Sequence, residues 1–406
     1  MKICLLGQFG SGNSGNDGSL MSMLNTLGVL QPGARIVCAC AEPNVVAARY
    51  GIPSLHLRSS KAHRANIGRF RRIMRLPLHL PTLFNGLRQL VTTDLLMVPG
   101  TGILDDFQEA AFGWPLTIFL WCLAARLTST RIAFVSIGAG PIDSRVSRWL
   151  FRAATRMATY RSYRDKGSME FVSSLGIDVS RDYVFPDLAF RLPRPTPAPR
   201  TALPASGPRV GVGVMTYHGW RKDNRQADAI YEGYVIKMSD FIARLSRQGL
   251  KVRIFMGDTV DRQVCAAIVE RLHFLLHPGE LALIETGSGT SLDDVMSQIA
   301  SVDVTVVSRY HNLVCSLKMG CPAISLAYAV KNDQLMADFE QSGYCLHIDT
   351  FQVDALFELL SKLLTNLATE RNRIATINER VGQSLVVQEH LLEQQLLDSR
   401  DHTAIR

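Results

Sequence analysis

Short apolar runs that stop abruptly at a glycine, a proline or a charged residue recur along this chain, and stretches of helical spacing separate them. That alternation constrains the fold more than any other feature. Strands separated by helices pair in parallel, through crossovers. Lys2 to Leu6, Ala34 to Ala41, Leu95 to Pro99, Arg131 to Ile137 and Tyr160 to Tyr163 read as strands, with helices over Ser19 to Leu30 and Ser147 to Ala158. The stretch Arg191 to Arg209 holds six prolines and reads as a linker. After it the pattern restarts. Strands are expected at Val210 to Met215, Val252 to Met256, Ala282 to Glu285, Val302 to Val307 and Ala323 to Ala327. Helices are expected at Ile230 to Gln248, Arg262 to Leu276, Val353 to Leu367 and Ile374 to Leu397. The fold class implied is α/β: two Rossmann-like doubly wound domains facing a cleft, over residues 1–190 and 209–370. Residues 191–208 would join them and 371–406 would hold a closing helix.

Composition narrows the class. Hydrophobic residues make up 47% of the chain, enough for sizeable cores without metal or disulfide staples. None of the eight cysteines forms Cys-x-x-Cys, and none clusters with histidine at zinc spacing, so reduced core thiols and a cytoplasmic protein are expected. The apolar run at Met1 to Gly7 is too short for a secretory signal, so none is expected. Ala110 to Ala125 carries no charge, but a spanning helix needs about 20 residues. With Gly113 and Pro115 inside it, the run reads as a buried core helix.

The net charge of +8 is uneven. Residues 1–190 hold 21 Lys and Arg against 12 Asp and Glu, and the remainder is close to neutral. Much of the excess lies at 58–75, where Arg58, Lys61, Arg64, Arg69, Arg71, Arg72 and Arg75 alternate with apolar residues. Such a segment suits an anionic membrane surface, a phosphate-bearing acceptor or simply a solvated helix face. No nucleic-acid module accompanies it, so nucleic acid is not an expected partner.

The chemistry-bearing residues sit where apolar runs end. Gly7 to Gly18 is a glycine- and asparagine-rich loop between a strand and a helix; Gly10, Gly12, Asn13, Gly15 and Asn16 let backbone N–H groups approach an anion or an acceptor. Asp17 either caps that helix or acts as a base on a sugar hydroxyl. Gly100, Thr101, Gly102, Asp105 and Asp106 form a second strand-end loop, whose paired acids either start a helix or hold sugar hydroxyls or a metal. Arg164 follows a strand and either binds carboxylate or phosphate or pairs at the surface with Asp165. Val302 to Val307 ends in Ser308, Arg309, Tyr310, His311 and Asn312, which sets a cation and an imidazole two residues apart at a strand end. The alternative for that pair is an Arg309–carboxylate contact with His311 capping a helix. Lys331 adds a second cation, and His218 and Trp220 are candidates to contact a sugar.

In order, these motifs resemble the polysaccharide pyruvyl transferase family. The resemblance rests on Gly15-Asn16-Asp17, Gly100-Thr101-Gly102-Ile103-Leu104-Asp105-Asp106, Arg164-Asp165-Lys166-Gly167-Ser168, Asp187-Leu188-Ala189-Phe190, Ser308-Arg309-Tyr310-His311-Asn312 and Tyr328 to Lys331. It implies a GT-B-like fold and transfer of the enolpyruvyl group of phosphoenolpyruvate to a sugar. That sugar would belong to a surface polysaccharide, such as an exopolysaccharide, or its lipid-linked precursor. The product would be a pyruvate ketal and phosphate, with no metal and no cofactor needed. Ser308, Arg309, Arg164 and Lys331 would bind the donor, His311 and Asp17 would move protons, and the basic N-terminal domain would face the acceptor. The protein would be cytoplasmic or peripheral at the inner face of the membrane. Two other classes fit the same pattern: a GT-B glycosyltransferase using a nucleotide sugar, and a non-catalytic binding protein on an enzyme scaffold.

Overall fold

The computed structural model describes residues 1–58, 76–105, 110–195, 207–219 and 225–397. The chain divides into two compact units. One comprises Met1–Ser11, Ser19–Leu188 and a C-terminal piece from Ser384; the other comprises Gly12–Gly18 and Ala189–Gln383.

In the first unit, β1 (Lys2–Leu6), β2 (Arg35–Cys40), β3 (Ser54–His56), β4 (Leu95–Pro99), β5 (Arg131–Ile137), β6 (Tyr160–Tyr163) and β7 (Tyr183–Val184) form one parallel sheet. Their order is β3-β2-β1-β4-β5-β6-β7, so the direction of winding switches between β1 and β4. Alternate residues of each strand serve opposite faces. Cys4, Leu6, Leu96, Val98, Ile132 and Phe134 pack with Trp121 and Phe151 on one face. Ile3, Leu5, Leu95, Met97, Ala133 and Val135 pack with Leu20, Met23 and Leu27 on the other. Burial on both faces is why β4 is apolar throughout and why β1 and β5 are legible as apolar runs.

The helices are α1 (Ser14–Leu30), α2 (Pro43–Tyr50), α3 (Leu76–Leu90), α4 (Trp114–Leu127), α5 (Arg145–Met157) and α6 (Lys166–Ser174). The uncharged run is α4, entered through Gly113 and Pro115, with Trp114, Ile118, Trp121, Cys122 and Ala125 buried. It is a core helix, and among the described residues no helix is long and apolar enough to cross a membrane.

The second unit repeats the plan. β8 (Arg209–Val214), β9 (Lys251–Met256), β10 (Ile284–Thr286), β11 (Val304–Val307), β12 (Ala323–Ala327) and β13 (Cys345–His347) form a parallel sheet in the order β10-β9-β8-β11-β12-β13. Its switch point lies between β8 and β11. Gly211 and Gly213 let β8 pass under Phe255, which would stand 3.1 and 2.9 Å from a Cβ at those positions. The helices are α7 (Ala227–Arg247), α8 (Arg262–Leu275), α9 (Pro278–Leu281), α10 (Leu292–Ile299), α11 (Tyr310–Lys318), α12 (Val330–Asp338), α13 (Val353–Thr365) and α14 (Leu367–Leu392). At the end of α11 the Lys318 ammonium is buried and donates to the Phe190 carbonyl at 2.5 Å; burial pulls its pKa down to about 8.

Several boundaries differ from the sequence reading. Helix α1 starts at Ser14 rather than Ser19, inside the glycine-rich run, because Asn13 caps it: Asn13 Oδ1 accepts from the Gly15 and Asn16 N–H groups at 3.0 and 3.3 Å. Asp17 is therefore not the N-cap but a residue of the first turn. Strands β3, β7 and β13 are two or three residues long and carry no apolar run that a pattern search would catch. The closing helix begins at Leu367, and its regular part ends at Leu392, followed by a π turn at Glu393–Leu397. Residues 59–75 of the basic segment, 196–206 of the proline-rich linker, Asp106 and Trp220 lie outside the described residues. Arg58 is described, and its Nε donates to Thr117 Oγ1 at 2.9 Å. All eight cysteines are thiols, seven of them buried.

Candidate functional site

In the second unit the residues expected to carry chemistry gather at the carboxyl end of β11, beside β8. Ser308 is fully buried; its N–H donates to Gly213 O at 3.1 Å and its hydroxyl shares a 2.9 Å hydrogen bond with Tyr234. Burial pushes the Tyr234 phenol up to about 12, so it stays a neutral partner. Ser308 thus supports the loop from inside the fold, where a donor anion was expected to meet it.

Arg309 has two carboxylate neighbours. Its Nε and Nη2 engage Asp261, the latter at 2.7 Å, and its Nη1 stands 3.6 Å from Asp258. Asp261 is fully buried and also accepts from the Thr216 N–H at 2.8 Å. Burial alone would lower the Arg309 pKa; the bonds to Asp261 reverse this and hold it above its ordinary value. Burial raises the Asp258 carboxyl, with Arg309 opposing. The guanidinium is therefore a permanent cation whose fork is already matched to a carboxylate. The acid partners, 48 residues upstream of Arg309 for Asp261, were missed in the sequence. The signal was the Gly257-Asp258 step directly after the apolar run Lys251–Met256, a strand end like the others.

His311 lies in the first turn of α11, half-buried. Its ring meets the N-terminal turn of α1. A Cβ on Gly15 would stand 2.0 Å from His311 Nδ1, so only glycine fits there. The same turn is stitched to the end of β9: Ser14 Oγ donates to Gly257 O at 2.5 Å, Asn13 bridges Asp258, and Thr259 N donates to Gly12 O at 3.4 Å. Gly12, at φ +92, leaves room for Thr259. Asp17 is nearly buried in this turn. Asn312 is fully buried between Gly213 and Gly257, and neither end of its amide has a hydrogen-bond partner among the described residues.

Lys331 opens α12. Its ammonium stands 5.0 Å from the Tyr328 ring centroid and 5.8 Å from that of Tyr310, whose ring meets His311 edge-on at 5.2 Å. Lys331 makes no ion pair with a described residue, so of the two cations here it is the one not matched to a carboxylate. Neither Arg309 nor Ala329, the residues that precede α11 and α12, caps its helix with a side chain. Lys331 and His311 thus both lie against the Tyr310 ring, a cation and an imidazole with one aromatic ring between them. His218, the sugar-contact candidate, stacks on Tyr231 at 4.9 Å.

The other expected residues belong to the first unit. Arg164 follows β6 and is buried, not a surface partner of Asp165. Its Nε stands 3.6 Å from Asp165 and its Nη1 3.4 Å from Asp187. Asp165 also caps α6 by accepting from Ser168 N at 2.6 Å. The guanidinium lies flat against Gly138, where a Cβ would meet it at 2.6 Å. Gly100 and Thr101 both have left-handed backbone, φ +59 and +66; Gly100 N donates to Val135 O and Gly138 N to Thr101 O, both at 2.7 Å. Asp105 lies beside Gly102, 2.9 Å from where a Cβ would stand, with Arg164 on the same side at 3.7 Å. Gly10 has φ +77 and faces Glu42 and Val46. Among the described residues, no group of three or more His, Cys, Asp or Glu is placed to hold a metal ion.

The sequence model of the polysaccharide pyruvyl transferase family matches residues 13–329, a span that runs from the cap of α1 through the Ser308–His311 turn. The chain belongs to this family. A search of the curated proteins gives no match. Solved structures share the fold at low identity. A putative UDP-N-acetylglucosamine 2-epimerase from Listeria monocytogenes aligns with a TM-score of 0.60 at 14% identity, covering 98% of this chain and 97% of that one. The UDP-GlcNAc 2-epimerase from Neisseria meningitidis, solved bound to UDP-GlcNAc, gives 0.58 at 11%, covering 97% and 100%. A glycosyltransferase from Rickettsia africae gives 0.58 at 10%, covering 96% and 98%. This pyruvyl transferase family member therefore has a GT-B-like fold of two parallel-sheet α/β units.

Proposed function

We propose that this protein transfers the three-carbon skeleton of phosphoenolpyruvate onto two hydroxyls of one sugar, as a pyruvate ketal, on a surface polysaccharide or its lipid-linked precursor. A proton goes to the methylene carbon of the donor, which becomes the ketal methyl. The two sugar oxygens bond to the adjacent carbon, and the C–O bond to phosphate breaks. Two hydroxyl protons are released, one replacing that delivered to carbon and one leaving with phosphate. His311 serves as the acid, since an imidazole can both hold and release a proton, and Asp17 accepts a hydroxyl proton. Lys331, with the N-terminal dipole of α12 behind it, holds the donor's anionic groups. Arg309, matched to Asp261, holds the turn that carries His311. The loops of the first unit, with Gly100 to Asp105 and Arg164, serve the acceptor. No metal or cofactor is needed.

The observation that carries this reading is the placement of His311 against the N-terminal turn of α1, with Lys331, which makes no ion pair with a described residue, one ring away, inside a chain that matches the family. Calorimetry with phosphoenolpyruvate tests it, alongside a panel of uridine and guanosine diphosphate sugars. Binding that falls at least tenfold in Lys331→Ala, and phosphate release abolished in His311→Ala, are the expected results. The UDP-GlcNAc bound to the meningococcal epimerase motivates the second reading, a nucleotide-sugar transferase. Binding of such a sugar with no response to phosphoenolpyruvate would establish it instead.

A further inference from the structure

The outer surface of the first unit carries an unusual combination of side chains on three adjacent helices. Helix α4 packs between α3 and α5. Together the three carry six arginines, Arg88, Arg126, Arg145, Arg148, Arg152 and Arg156, and no Asp or Glu. None of the six makes an ion pair with a described residue. Arg148 and Arg156 each donate to a backbone carbonyl, of Ile142 and Gly176. On the same helices large apolar side chains stand in solvent: Leu80 is 62% exposed, Phe84 66%, Leu127 63% and Trp149 60%, with Val146 beside them at 46%.

Helical geometry puts these residues outward together. Leu80, Phe84 and Arg88 recur every four residues on α3, as one stripe. On α5, Arg145, Arg148, Trp149, Arg152 and Arg156 fall on one face, while Ser147, Leu150, Phe151, Ala154 and Thr155 face the core. Phe119 of α4 reaches across to Trp149, with ring centroids 5.5 Å apart. The result is a mixed apolar and cationic surface.

We propose that this face of α3, α4 and α5 docks on the surface of an anionic lipid bilayer. A bilayer surface is the partner that rewards both components: headgroup phosphates attract arginine, and Trp, Phe and Leu enter the headgroup–acyl boundary. A second copy of the same face would set six arginines against six. Nucleic acid would meet the arginines but gain nothing from Leu80, Leu127 and Val146. The proposal stands on this surface alone and does not depend on the donor or the reaction.

Sedimentation of the intact protein with vesicles of equal parts phosphatidylglycerol and phosphatidylcholine tests it, with pure phosphatidylcholine as control. Binding to the anionic vesicles is expected, weakening as salt shortens the Debye length. It should fall at least tenfold in Phe84→Glu/Trp149→Glu and in Arg88→Glu/Arg126→Glu/Arg145→Glu, with circular dichroism unchanged. Independently of any destabilised variant, brominated lipid should quench wild-type tryptophan fluorescence, and Trp149→Phe should lose that quenching. Absence of vesicle binding, or equal binding by wild type and both charge variants, would overturn the proposal. A concentration-dependent dimer lost in Phe84→Glu/Trp149→Glu would assign the face to a second copy. Retention of single-stranded RNA that responds only to the arginine changes, without vesicle binding, would assign it to nucleic acid.

Discussion

At the scale of single residues, the proposed catalytic turn is held by one absent side chain and one buried acid. Gly15 exists so that His311 can lie against the α1 N-terminus, where even a methyl group would stand 2.0 Å from Nδ1. Gly15→Ala should therefore displace the ring and lower turnover about 100-fold or more, the usual size of a general acid–base contribution. A chain that unfolds at nearly the wild-type urea midpoint would show that the loss is positional. Asp261 is fully buried under Arg309. Asp261→Ala strips this cation of its hydrogen-bonded carboxylate and leaves only Asp258, at 3.6 Å, so urea unfolding should show a loss of about 3 kcal/mol. Adding Arg309→Met removes that stranded charge and should restore most of the stability, without restoring phosphoenolpyruvate turnover. The Ser308–His311 turn was legible in sequence because a valine run ends there. Asp261 was not, because an ion pair across 48 residues leaves no local pattern.

At the scale of elements, helix α11 carries the proposed acid His311 at one end and a buried cation at the other. The Lys318 ammonium has an ordinary pKa of 10.5 and about 8 in the fold, because burial disfavours the charged form. Below pH 8 both folded and unfolded chains hold the proton, and the fold bears the full cost of burying it. Between pH 8 and 10.5 the unfolded chain holds more protons, so stability contributed by this group rises with pH. Relative to Lys318→Met, the wild type should gain roughly 3 kcal/mol across that window. Urea unfolding of both proteins at pH 7.5, 9 and 10.5 measures the difference; parallel curves would deny Lys318 a depressed pKa. Elements were the most legible level. β1, β4, β5 and β12 appear where their apolar runs predict, since both faces of a parallel strand are buried. The start of α1 was misread by five residues, since a glycine-rich run looks like a loop until Asn13 is seen accepting from Gly15 and Asn16.

At the scale of the whole molecule, the piece from Ser384 to Leu397 is a structural part of the first unit. Leu392, Leu396 and Leu397 are each 2% exposed within the core that holds Ile3 and Leu5, and Gln388 donates to Ser136 and Ser162 at 2.8 and 3.2 Å. A chain ending at Gln383 forfeits about 1.5–3 kcal/mol for each leucine. Calorimetry should show the first unit unfolding at lower temperature while the second keeps its transition; an unshifted profile would make the C-terminal piece dispensable. The α/β class, the strand ends that carry the candidate residues and the family were all readable along the chain, because they rest on local periodicity and on motifs in order. Tertiary structure decided which cations already have carboxylates, why glycine stands at 15 and 138, and that Gly12–Gly18 groups with the second unit. Those facts depend on groups far apart in the chain meeting in space, and an ion pair or a close approach of that kind has no period to read.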